Sequence, residues 1–192
     1  MGSLLRALRP RASWSLAALA LFSALSASCL PESEDEATSQ EEEGLRYTAW
    51  SVVASLDALH DELVLAQPEG THDRTLACAG GGTATITGTT TIDMATSTRS
   101  VDLTFVLTGC APAPRSADGQ LQGDVTFDGT ATKEGSASSI SVGYTYAAVG
   151  LQMEGYVTAY GSRHRVNRGC DLSVEKKTAG SKGTLCGSEV AW

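Results

Sequence analysis

The residues able to do chemistry are few. There are five cysteines, Cys29, Cys78, Cys110, Cys170 and Cys186, and three histidines, His60, His72 and His164, in a chain of 192 residues. The last four cysteines are separated by 32, 60 and 16 positions. Zinc ligands come in close pairs, roughly two to four residues apart, so this spacing argues against a metal site. Crosslinks formed in an oxidising compartment account for it better. Four cysteines allow three pairings. Cys170 and Cys186 flank a hairpin centred near Thr178, and Cys78 and Cys110 bracket one centred near Met94, with Gly80, Gly81 and Gly82 available to bring them level. The favoured pairing is Cys78 with Cys110 and Cys170 with Cys186.

The histidines complete no catalytic set. His60 has Asp57 three residues before it, which reads as an ion pair or a partly buried histidine rather than a dyad. His72, next to Asp73, falls in a polar stretch read as a loop. His164 lies among Arg163, Arg165 and Arg168, whose charges oppose its protonation and repel a cation. There is no GxxxxGK[ST], GxSxG or HExxH. Gly80 to Gly82 precede a strand, not the helix N-terminus that makes a glycine loop hold phosphate. The expectation is a protein without catalytic residues, cofactor or metal, and not an enzyme. One charge asymmetry stands out: Arg163, Arg165, Arg168, Lys176, Lys177 and Lys182 face only Asp171 and Glu175 over the same stretch. They form a candidate anion-binding patch, able to meet an anionic envelope component or envelope protein. The plainer reading is a set of charges that solubilise a hairpin loop.

These residues must be carried by elements that the pattern reveals. The chain is 42% hydrophobic, 6% aromatic and 19% charged, with 20 glycines and a formal charge of -8. That suits one globular domain and lacks the basic footprint of a nucleic-acid binder. Arg6, Arg9 and Arg11 precede an apolar run from Trp14 to Leu25, then Ser26, Ala27, Ser28 and Cys29. A positive start, a short apolar core and small residues describe a secretory signal over residues 1–28, too short to span a bilayer. Residues 30–43, LPESEDEATSQEEE, hold seven acids and no base, and read as the main part of an acidic disordered tether over 29–43.

The segment Leu25-Ser26-Ala27-Ser28-Cys29 resembles the lipobox of bacterial lipoproteins. Ala27 and Ser28 fit the two places before the cysteine, while Ser26 stands where the family favours leucine. The resemblance is confined to this segment and implies acylation of Cys29, including palmitate, with the cysteine as the new N-terminus. Leu30 in the next position implies the outer membrane rather than the inner. Ordinary secretion or a periplasmic location is the alternative. Lipidation of Cys29 would leave the other four cysteines as an even set. Cleavage there removes three arginines and no acid, leaving 22 acids against 11 bases.

Residues 44–192 read as a single helix-plus-β domain. Leu45, Ala49, Trp50, Val52, Val53, Leu56, Leu59 and Leu63 recur at helical spacing, with Asp57 and Asp61 on the opposite side, and Pro68 and Gly70 end the helix. Period-2 runs follow over TATITGTTTI at 83–92, then Val101 to Leu107, Leu121 to Ala131, Ile140 to Tyr146, Leu151 to Ala159, and Leu172 with Val174. The threonines of 83–91 form the polar outer face of their strand. Hairpin-sized links make the sheet antiparallel. The expected fold is mainly β, an antiparallel β-barrel or β-sandwich of about seven or eight strands with one N-terminal amphipathic α-helix. The expected function is that of a non-enzymatic binding or scaffolding module on the cell envelope. The alternative is a carrier of an apolar or lipidic ligand, with room left by Ala84, Gly88, Gly155 and Ala159 and the helix as a lid.

Overall fold

The computed structural model describes residues 34–112, 116–117, 121–159 and 161–192. The signal segment and Cys29 lie outside the described residues. Helix α1, Glu34–Ala66, is followed by nine strands: β1 Gly70–Ala77, β2 Thr83–Asp93, β3 Thr98–Cys110, β4 Ser116–Ala117, β5 Leu121–Ala137, β6 Val142–Ala159, β7 Ser162–Lys177, β8 Gly180–Leu185 and β9 Ser188–Ala191. All belong to one sheet whose order follows the chain, with every neighbouring pair antiparallel and β4 laid against the start of β5. Among the described residues the sheet is not closed, and β1 and β9 are its edges.

The alternation seen in the sequence places the core. Ile86, Leu103, Phe105, Phe127, Tyr146, Leu151, Met153, Leu172 and Leu185 turn inward and are fully buried. They share one cluster with Val52, Leu56 and Leu63 of α1. Each inward residue contributes by leaving water, and their side chains meet because period 2 on the strands and period 3.6 on the helix aim them at each other.

Register shifts recur on neighbouring strands, between Leu107 and Cys110, Asp128 and Ala131, and Ala148 and Leu151. At two of them a carboxylate on the next strand catches the backbone. The Gly109 N–H donates to Asp128 Oδ1 at 2.7 Å, and the Gly150 N–H donates to Asp171 Oδ1 at 2.8 Å. Such bulges sharpen strand twist and bend, which brings strands of 16 to 18 residues around one helix.

Several expectations change. The helix starts at Glu34, so most of the acidic segment assigned to a tether is helical. Glu, Gln and Ala are good helix formers, and acids early in a helix complement its dipole. The helix is also buried on more than one stripe: Thr48, Ser51 and His60 are enclosed. The runs 140–146 and 151–159 are one strand, β6, broken in phase by a bulge, and Ile140 lies before it, exposed. Residues 163–168 belong to β7 rather than to a loop. His72 lies on β1, inward and buried, because Thr71 and Asp73 take the outer face.

Both expected disulfides are present, with Cα–Cα separations of 5.4 Å for Cys78–Cys110 and 4.9 Å for Cys170–Cys186. The turn between β1 and β2 folds onto the end of β3, where Ala111 N–H donates to the Gly81 carbonyl and Gly80 N–H to the Ala111 carbonyl. Gly82, at φ +76°, has no space for a side chain there, since a Cβ would meet the Gly109 carbonyl. The triple glycine thus lets Cys78 reach Cys110. The glycines expected to leave ligand space do something else. A Cβ on Gly88 or Gly155 would strike the Asp102 or Asp124 carbonyl of the adjacent strand, so these residues allow close strand approach.

Candidate functional site

The most concentrated chemistry lies between α1 and the inner face of β5 to β7. The in-register phase that buries Phe127 and Ala131 also turns Lys133 inward, where it is only 1% exposed. Its ammonium donates to Asp57 Oδ1 at 2.7 Å and to His60 Nδ1 at 2.9 Å. The Tyr146 hydroxyl donates to the same Asp57 oxygen at 2.5 Å, and Lys176 Nζ donates to Asp57 Oδ2 at 2.6 Å. Asp57, expected on the solvent side of the helix, is therefore the hub that ties α1 to three strands.

The electrostatics follow from this arrangement. Burial pushes the Asp57 carboxyl up, but the Lys133 charge and the hydrogen bonds from Lys133, Lys176 and Tyr146 outweigh it, and the net direction is below the usual value. Burial pulls Lys133 down against the opposing pull of Asp57. Burial, with the charge of Lys133 next, lowers His60 to about 4, so it is neutral at pH 7. A lysine only donates, so Nδ1 of His60 is the acceptor and the proton sits on Nε2, which is buried and has no partner among the described residues. Tyr146 is pushed up by burial and by Asp57, and keeps its proton. A reacting atom needs room beside the acid or base, and Lys133 has none. The cluster is an ionic latch between helix and sheet.

No family model, curated protein or solved structure matches this chain.

The candidate basic patch is spread along β7 and β8. Arg163 stacks on the Tyr156 ring, with its guanidinium carbon 3.8 Å from the centroid. Arg165 is exposed farther along the same strand. Arg168 reaches Glu41 of α1 at 3.4 Å, and Lys177 pairs with Glu175 at 2.8 Å. Lys176 points to Asp57, and Lys182 lies opposite Glu175 on β8. The structure brings together Glu175, Lys177 and Lys182 at one strand end and leaves the arginines toward the other. Among the described residues no three of His, Cys, Asp and Glu gather as a cation site, and no helix is long and apolar enough to cross a membrane.

Two recesses stand out, one of them against the helix. One, of about 140 Å³, lies between Trp50, Ala54 and Ala58 of α1 and the Ala77–Ala79 turn with Pro112. The other, of about 310 Å³, opens at the end of the inner face where the β2–β3 and β5–β6 turns meet, lined by Ile92, Met94, Ser97, Arg99, Ala137, Ser138 and Tyr144. Sequence reasoning passed over both Arg99 and Lys133. The available signal was phase: each falls in step with the buried residues of its strand.

Proposed function

We propose that the chain is an exported bacterial envelope lipoprotein, anchored by acylated Cys29, whose mature domain binds or scaffolds a partner and catalyses no reaction. The observation that carries this reading is the cysteine balance. Four cysteines are consumed in two disulfides, as an oxidising compartment favours, and the fifth stands in the lipobox-like segment. Leu30 after Cys29 supports the outer membrane. We also read the open sheet as an incompletely closed barrel rather than a sandwich, because one continuous strand path shares a single core with α1. With α1 packed against that concavity, a carrier role would use a recess at its margin, beside Trp50 or beside Arg99.

Metabolic labelling with an alkyne palmitate analogue in a bacterial host tests the anchor. The expected result is label and membrane fractionation for the native chain and neither for Cys29→Ser. An unacylated mature chain, cut after Ser26 or Ser28 and soluble in the periplasm, overturns it.

A further inference from the structure

We propose that the recess at the end of the inner face is a binding site for an organic anion, a carboxylate or phosphate monoester carrying a short apolar chain. The proposal gives the binding module a ligand class. It rests on that part of the reading and is independent of acylation at Cys29.

The charge balance is the first observation. The inner face at this end carries Arg99, Lys133 and Lys176 against the partly buried Asp57, which both lysines already engage, and the exposed Asp61 beside His60. Arg99 takes part in none of the ion pairs among the described residues. Its Nε is buried with no hydrogen-bond partner among the described residues, as is His60 Nε2. The Arg99 charge reaches both His60 and Tyr144. A buried guanidinium donor without a partner is costly, and an oxyanion is the group that satisfies its fork.

The walls supply the rest. The Tyr144 hydroxyl is held protonated by burial and can donate, and Ser97 and Ser138 stand on the two turns that frame the opening. Ile92 and Ala137 flank Arg99 as its register partners on β2 and β5, and Met94 projects at the rim. A cation set beside Ile92, Met94 and Ala137 in an otherwise polar recess favours an anion with a short hydrocarbon tail over a bare inorganic ion. The recess, at about 310 Å³, admits only a small molecule.

The test is calorimetry on the exported full-length protein, recovered in detergent from membranes or directly from the periplasm, whichever holds it. The probes are octanoate, octyl phosphate, octanol and inorganic phosphate. Saturable binding of octanoate or octyl phosphate at one per chain is expected, with octanol and inorganic phosphate at least tenfold weaker. Arg99→Gln should weaken binding roughly tenfold or more, and Arg99→Lys should restore part of it. Tyr144→Phe, which keeps the ring and removes only the hydroxyl, should weaken it severalfold and serves where Arg99→Gln does not fold. Arg46→Gln on α1, which lies outside the lining of this recess, should leave binding unchanged. Absence of saturable binding by either octyl anion, equal binding of octanol, equal binding of inorganic phosphate, or native affinity in a folded Arg99→Gln would each overturn the proposal. Failure here leaves palmitate labelling intact, and failure of labelling leaves this titration interpretable.

Discussion

Lys133 Nζ lies 2.7 Å from Asp57 Oδ1 across 76 residues of chain, joining the C-terminal half of α1 to the inner face of β5. The same carboxylate takes Tyr146 and Lys176, so three strands are fixed to one helical position. Buried ion pairs contribute less by their own attraction than by the damage done when one partner is lost. Asp57→Ala leaves Lys133 charged and enclosed, and should cost about 3 to 5 kcal/mol in a urea melt. The paired change Asp57→Leu with Lys133→Met should recover most of that loss. A double variant as unstable as Asp57→Ala would mean that the latch is not the source of the effect.

The pH dependence of stability follows from the depressed values of His60 and Asp57. His60 falls from 6.5 to about 4 on folding, so the unfolded chain takes up its proton first as pH drops. Its contribution is fully present above pH 6.5 and is lost progressively toward pH 4, on the order of 2 to 3 kcal/mol. Asp57, also depressed, adds a further loss below its ordinary value of 3.8. Denaturant melts between pH 7 and 4 should show this limb, and His60→Gln should flatten the part between pH 6.5 and 4. An unchanged slope in that variant would refute the assignment.

The two disulfides should differ modestly in their effect. On the chain-entropy view, closing 16 residues through Cys170–Cys186 contributes about 3 kcal/mol and closing 32 through Cys78–Cys110 contributes about 4. Paired alanine variants, compared by thermal melting under oxidising conditions, should rank in that order. The reverse order would show that local packing dominates.

Gly155 provides a test of how closely β5 and β6 approach. It sits at φ +143°, and a Cβ would press on the Asp124 carbonyl. Gly155→Ala should cost at least about 2 kcal/mol. Gly161, at φ +83° with open space around it, should cost about 1 kcal/mol on the same change. Equal losses at the two positions would indicate that backbone strain alone sets the cost.

The sequence by itself determined the helix through Leu45 to Leu63, most of the strands and the preferred disulfide pairing. Alternation along 83–92 and 101–107, and the apolar stripe through Leu45 and Leu63, are local signals that any folded context must respect. The hairpin positions near Met94 and Thr178 favoured, among three possible pairings, the one the structure has. The phase breaks were harder to read, because a bulge at Ala148–Leu151 is set by pairing with β5 and β7 rather than by nearby residues. His72 carries no apolar neighbours to mark its strand, and only its place opposite Gly88 on β2 shows that it faces inward. Tertiary structure alone decided which charges meet. Asp57 looked like a solvent-side residue, yet it is partly buried because Lys133, Tyr146 and Lys176 of the sheet reach that flank of the helix. Its partners Lys133 and Lys176 lie 76 and 119 positions away. Coulomb attraction depends on distance through space, and the chain's own order carries no record of that distance until the strands are paired.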